Sequence, residues 1–342
     1  MSLPNAQPEN NASGAAAEEP RRILEVRNLS VEFYPGSTRA FHAVVDANFE
    51  IEAGKMVSVV GESGCGKTLS ALALVGLTPP AARCRGTIVH GSRSFEASSS
   101  ALARLRGRDV GMVFQEPMTA LNPLFSLDRQ FREVLRYLRG VEDRKEARDI
   151  STELLDRVGL DRPERRVNQF PHQLSGGQRQ RAMIALALAG EPSLLIADEP
   201  TTALDATLER RVMELFRKLA DEGLGVLMIS HDLPLVADVS DRVVVMYSGY
   251  TVENGPAHQL VDAPQHPYTR GLVASASAIV LGDTPRLPVI PGEVPSPDRR
   301  PGGCPFHPRC PEKLDRCESE FPPESEPVAG VRTACWARGG DQ

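Results

Sequence analysis

Gly61-Glu62-Ser63-Gly64-Cys65-Gly66-Lys67-Thr68 fits the pattern G-x-x-x-x-G-K-[ST]. The chemistry that needs these residue types in this order is the cradling of a row of phosphates. Glycines let the backbone curl until several amide N–H groups point inward, and a following helix adds the partial positive charge of its N-terminus. Lys67 adds a full charge, and Thr68 offers a hydroxyl to Mg²⁺. A nucleoside triphosphate is the ligand this set predicts.

Other polar groups stand at the ends of apolar runs. Ser193-Leu194-Leu195-Ile196-Ala197 closes on Asp198-Glu199, and Gly225-Val226-Leu227-Met228-Ile229 delivers Ser230-His231-Asp232. An Asp-Glu pair in this position ordinarily caps the next helix. Beside a phosphate loop, Asp198 instead suits Mg²⁺, and Glu199 suits the orienting and deprotonating of an attacking water. If the strand before His231 lies next to the acidic one, His231 reaches the γ-phosphate or that water. Val110-Gly111-Met112-Val113-Phe114 ends in Gln115, and Leu174-Ser175-Gly176-Gly177-Gln178 opens a helix, giving a second anion-binding end.

The elements that hold these groups follow from periodicity. Met56–Val60 reads as a buried strand and Leu69–Val75 as a helix, so the glycines fall at a strand-to-helix turn. Ile23–Tyr34 and Ala43–Ile51 alternate as antiparallel strands. Phe33 and Tyr34 end the first, where an aromatic ring either packs or stacks on a base. Arg129–Leu160 carries apolar residues at helical spacing, a helical insert between sheet elements. Val212, Leu215, Phe216 and Leu219 stripe another helix, and Val243–Tyr247 adds a strand. The fold class is α/β, with a boundary near residue 265 where the strand-helix rhythm fades. Residues 1–20, poor in large apolar side chains, read as a disordered tail.

The chain has 342 residues and a net charge of −6. That acidity gives no general attraction to nucleic acid or to an anionic membrane. No apolar run reaches the ~18 residues of a spanning helix, and the N-terminus lacks the layout of a signal peptide, so a cytoplasmic protein is expected. Four of the six cysteines, Cys304, Cys310, Cys317 and Cys335, lie in a Pro-rich stretch too poor in apolar residues to hold itself together by burial. A metal or cluster would supply the missing constraint, and a reducing compartment disfavours disulfides. The spacing does not choose between zinc and an iron–sulfur cluster.

Phosphate loop, Gln115, LSGGQ, Asp198-Glu199 and His231, in that order, resemble the ATP-binding subunit of ABC transporters over about residues 23–260. FQEPMTALNP around Gln115, FPHQLSGGQRQR from Phe170, IADEPTTALD from Ile196 and HPYTRGL from His266 are similar to the peptide and nickel importer branch. The resemblance implies an ABC ATPase head over residues 21–264, with a mixed sheet, an antiparallel β part and a helical part over about 116–190, followed by a small irregular cysteine-rich extension over 265–342. It implies two ATPase subunits, a copy or a homologous second chain, sandwiching ATP. Gly61, Ser63, Gly64, Cys65, Gly66, Lys67 and Thr68 would bind it with Gln115, while Ser175, Gly176, Gly177, Gln178 and Asp205 would act in trans. Thr68, Gln115 and Asp198 would hold Mg²⁺, Glu199 and His231 would be catalytic, and Phe33, or else Tyr34, would stack on adenine.

Cys65 stands where the family commonly has serine, placing a thiol beside the phosphates, so alkylation is expected to inhibit and ATP to protect. Two permease subunits and an extracytoplasmic binding protein are the implied partners, with the chain peripheral on the cytoplasmic face of the inner membrane. Peptides are the implied solute, with nickel or another small solute as the alternative. In some peptide-importer ATPases the tail carries a 4Fe-4S cluster on four cysteines, so Cys304, Cys310, Cys317 and Cys335 are its expected ligands, with zinc the other choice. A non-transport ABC ATPase acting on nucleic acid or the ribosome, and a redox sensor with ATPase output, are the competing readings.

Overall fold

The computed structural model describes residues 21–116, 120–202, 204–281 and 289–339. The tail expected over 1–20 lies outside them, as do Pro117, Met118 and Thr119 of the loop after Gln115. Strands β1 (Arg22–Phe33) and β2 (Phe41–Glu52) lead to β3 (Met56–Val60) and helix α1 (Lys67–Leu74). Then come β4 (Ala82–His90), β5 (Arg93–Glu96), β6 (Val110–Val113), α2 (Leu127–Arg139), α3 (Arg144–Arg157), the single turn α4 (Pro163–Arg166) and α5 (Gly176–Ala187). The second half runs β7 (Leu194–Asp198), α6 (Ala206–Asp221), β8 (Gly225–Ser230), α7 (Leu233–Ala237), β9 (Arg242–Tyr247), β10 (Tyr250–Pro256), α8 (Ala257–Asp262) and α9 (Pro267–Leu281), with β11 (Ser325–Val328) and β12 (Val331–Thr333) in the cysteine-rich segment.

One curled sheet carries them in the order β5-β4-β1-β2-β10-β9-β3-β8-β7-β6. β1 pairs antiparallel with β2 and β4, whereas β9, β3, β8, β7 and β6 run parallel. The parallel strands read as continuous apolar runs because both their faces are covered. Side chains alternate along a strand, and the two faces enter two different cores. Val57, Val59, Ile196, Leu227, Ile229 and Val244 pack under α1 and the antiparallel strands. Met56, Val60, Leu195, Ala197, Val226 and Met228 pack against Met183, Phe216 and Leu219.

That alternation aims the chemistry. Asp198 follows Leu194 and Ile196 on the face that holds α1, so it points toward the helix that begins at Lys67. Parallel pairing of β3, β7 and β8 brings the C-terminal ends of all three together, the edge where α/β sheets place their ligands.

The described residues beyond 265 pack into the core of the preceding domain. β12 adds to the sheet through β10, and Cys304, Phe306, Cys317 and Val331 are buried in the same core as Phe216 and Tyr247. Buried Glu253 of β10 accepts the backbone N–H of Gln265 at 2.6 Å and of His266 at 3.0 Å, fixing the entry into α9. Among the described residues, no helix is long and apolar enough to cross a membrane.

Candidate active site

The phosphate loop leaves β3 and turns into α1 through backbone that only glycine fits. At Gly61 a Cβ would meet the carbonyl oxygen of Met246 at 2.2 Å, and at Gly66, with φ +101°, that of Ala43 at 2.6 Å. The curl places Lys67 inside it. Its Nζ donates to the carbonyl oxygens of Gly61 at 2.7 Å and Glu62 at 3.2 Å, and the side chain is nearly buried. Thr68 Oγ1 donates to Asp198 Oδ1 at 3.0 Å, so two of the three expected Mg²⁺ ligands already touch. Burial pushes the Asp198 carboxyl above its ordinary value against that hydrogen bond; the charge of Glu199 adds to the rise and that of Lys67 opposes it.

Glu199 is the meeting point of the other groups. Its Oε2 lies 3.5 Å from Gln115 Nε2 and 3.5 Å from His231 Nδ1, and it accepts the Thr202 hydroxyl at 3.0 Å. Its backbone N–H donates to the carbonyl of Ile229 at 3.0 Å, so the residue is pinned to the strand that ends before His231. At φ 43° Glu199 sits in the left-handed region, unusual for a side-chain-bearing residue. Chain elements 84 residues apart thus converge on one carboxylate. Thr202 was not foreseen from sequence; it stands three residues after Glu199 in a loop whose fold no periodicity announces.

The LSGGQ segment serves first as a helix start. Ser175 Oγ accepts the N–H of Gln178 at 3.3 Å, and Gln178 Oε1 accepts the N–H of Ser175 at 3.0 Å, a reciprocal cap of α5. Gln178 also donates to Asp161 at 3.2 Å. Ser175 and Gly176 are exposed, Gly177 lies against Leu208, and among the described residues no hydrogen bond joins Ser175–Gln178 to the phosphate loop. Asp205 caps α6, its Oδ1 accepting the N–H groups of Thr207 and Leu208 at 3.0 Å each.

At the end of β1 the ring of Phe33 lies parallel to Phe41, centroids 5.2 Å apart, while Tyr34 is 51% exposed. Cys65 does not present its thiol as the sequence suggested. It is 1% exposed, and burial raises its pKa against the charge of Lys67. A buried, protonated thiol is a poor nucleophile, so ready alkylation is not expected.

Cys304, Cys317 and Cys335 are buried, Cys310 is half-buried, and none is in a disulfide. They are electrostatic neighbours: burial pushes Cys304 up to about 12 and Cys335 up to about 11, and in each case the other cysteines add to the rise. Among the described residues, no group of three or more His, Cys, Asp or Glu is spaced to hold a metal ion.

Comparison with known proteins agrees with this geometry. The family model for ABC transporters matches residues 44–202, and that for the C-terminal region of oligopeptide/dipeptide transporters matches residues 252–317. A provisionally named peptide import ATP-binding protein of Brucella melitensis biotype 1 is 48% identical over 84% of this chain and 87% of its own. The oligopeptide transport ATP-binding protein AppD of Bacillus subtilis is 42% identical over 92% of this chain and 96% of its own. Among solved structures, the ATP-binding cassette MJ0796, a dimer in a post-hydrolysis state with ADP and Pi, has a TM-score of 0.60 and 29% identity, covering 69% of this chain and 99% of that one. The chain belongs to the ATP-binding subunits of ABC transporters, in the oligopeptide/dipeptide transporter family, and is an ATPase of that type.

Proposed function

We propose that this chain drives the uptake of di- or oligopeptides across the cytoplasmic membrane by binding and hydrolysing ATP. The observation that carries it is the gathering of Gln115, Thr202 and His231 on the Glu199 carboxylate, next to the Thr68–Asp198 pair and Lys67. The loop amides from Gly61 to Thr68 and Lys67 take the phosphates, and Phe33, or Tyr34 beside it, takes the adenine. Thr68, Gln115 and Asp198 would hold Mg²⁺, which when bound supplies positive charge to the phosphate oxygens. Glu199 orients the attacking water and accepts its proton, and His231 faces the same carboxylate from β8.

Ser175, Gly176, Gly177, Gln178 and Asp205 act on the ATP of an opposing ATPase subunit. The exposure of Ser175, Gly176 and Asp205, and the lack among the described residues of hydrogen bonds from Ser175–Gln178 to the phosphate loop, support this. ATP then draws two subunits together, and hydrolysis releases them, because nucleotide favours the closed pair. A groove of ≈ 610 Å³, lined by Leu77, Phe114, Phe125, Tyr137 and Met183, supports docking of a permease segment between the sheet and the helical part. Residues 21–264 form the head, with its helical part over about 116–190, and 265–342 the extension that leans on it, the whole lying on the cytoplasmic face. An extracytoplasmic binding protein delivers the solute. Glu199→Gln tests the reading: hydrolysis should fall at least ~100-fold while ATP stays bound in a stable ATPase pair; hydrolysis at the normal rate would contradict it.

We infer further that Cys304, Cys310, Cys317 and Cys335 hold a 4Fe-4S cluster. Burial of Cys304, Cys317 and Cys335 without disulfides, and the electrostatic neighbourhood that the four share, support this. Zinc on the same four thiolates is the alternative ligand. Iron and acid-labile sulfide near four of each per chain, after purification without oxygen, are expected; zinc, or no metal, would overturn the assignment.

A further inference from the structure

Glu62, the residue after the first glycine of the phosphate loop, is held by the far end of the chain. Arg309 Nη1 donates to its Oε2 at 2.8 Å and Nη2 to its Oε1 at 3.1 Å, a two-pronged pair across 247 residues of sequence. The backbone N–H of Glu62 donates to the Tyr268 hydroxyl at 2.8 Å. The carbonyl of the same residue accepts Lys67 Nζ, and also the N–H of Cys65 at 3.4 Å. One residue therefore links the C-terminal segment to the lysine that meets the phosphates.

Arg309 is built to stay where it is. Its side chain is 5% exposed. Nε donates to the carbonyl of Pro291 at 2.8 Å, Nη2 to that of Ile290 at 3.3 Å and Nη1 to the Tyr247 hydroxyl at 3.2 Å. It closes a short turn, with its N–H on the carbonyl of Phe306 and that of Cys310 on the carbonyl of His307, between Cys304 and Cys317. A buried ion pair gives little net stability once desolvation is counted. What the fork does give is direction, since a guanidinium admits a carboxylate in one plane.

The geometry points to Arg309 as a positioning residue for ATP. Through Glu62, and with Tyr268, it fixes the first half of the phosphate loop in the curl its amides require, so the C-terminal segment is part of the nucleotide site. A loop not held in advance takes the cost of its ordering out of ligand affinity. The inference rests on Gly61–Thr68 being the ATP site.

The test uses the full-length chain, with titration by a fluorescent ATP analogue plus Mg²⁺ and melting curves without nucleotide. Variants are Arg309→Ala, Arg309→Lys, Glu62→Gln and the double Glu62→Gln/Arg309→Ala. Kd should rise about tenfold in Arg309→Ala and in Glu62→Gln. Arg309→Lys, which keeps the charge and loses the fork, should fall between. The double should bind no worse than the weaker single, because both remove one interaction. In the assembled transporter KM for ATP should follow Kd while kcat stays within about twofold.

Wild-type affinity in a cooperatively melting Arg309→Ala, or losses that multiply in the double, would overturn the inference. Should Arg309→Ala fail to fold, Glu62→Gln decides, and unchanged affinity there would overturn it too. A wild-type chain that binds no Mg-ATP would instead overturn the site itself.

Discussion

At the scale of single residues, environment decides what identity leaves open. Glu199 and Asp198 are adjacent acids with different surroundings. Asp198 is buried against Thr68, while Glu199 turns at positive φ to face Gln115 and His231. Backbone strain of this kind persists where neighbours over-determine it. Cys65 shows the opposite case, a reactive residue type made inert by position. Cys65→Ser should keep ATP hydrolysis within about twofold, because the loop binds through amides. In native protein the Cys65 thiol should resist alkylation until denaturant is added. Mass-resolved labelling of Cys65 at the rate of an exposed thiol would contradict that account. The phosphate loop, Ser175–Gln178 and Asp198-Glu199 stand out as candidates because each is written in adjacent residues, and Gln115 and His231 because each follows an apolar run. Arg309 does not, because its partner lies 247 residues away and neither neighbourhood hints at the other.

At the scale of elements, strands buried on both faces were read from their unbroken apolar runs, and β3, β7, β8 and β9 are all present as such. β4 went unseen. Ala82-Arg83-Cys84-Arg85 alternates over four residues only, and Gly86 at φ 105° interrupts the run, so the strand is completed by its pairing with β1. β12 is three residues long and too short to carry a period. The loop entering β3 depends on Asp241, which accepts the Met56 N–H at 2.8 Å, Arg217 Nη1 at 2.8 Å and Lys55 Nζ at 2.9 Å. Burial alone would raise this carboxyl, but those three hydrogen bonds outweigh it and hold it below its usual value. The depressed carboxyl contributes its stability in full above the unfolded value of about 3.9, and loses it as pH falls through the lower folded value. Asp241→Asn should therefore cost about 1–3 kcal/mol at neutral pH, and the deficit should shrink in acid. Melting curves at neutral and acid pH check this, and a deficit that grows in acid would contradict it.

At the scale of the whole molecule, the sheet brings every donor for phosphate and water to one edge and leaves the LSGGQ helix start exposed and bonded elsewhere. In the proposed pairing, one chain supplies half of each nucleotide pocket. The cysteine-rich segment shares the core and adds β12, with β11 beside it, to the sheet, so it is joined to the head by burial as well as by sequence. The central claim is that hydrolysis needs the exposed face of an opposing subunit, and it is tested by following ATP turnover per chain together with sedimentation over a wide dilution series. Turnover should track the paired fraction and be absent where the chain is monomeric. Full turnover per chain from a strictly monomeric population would contradict it.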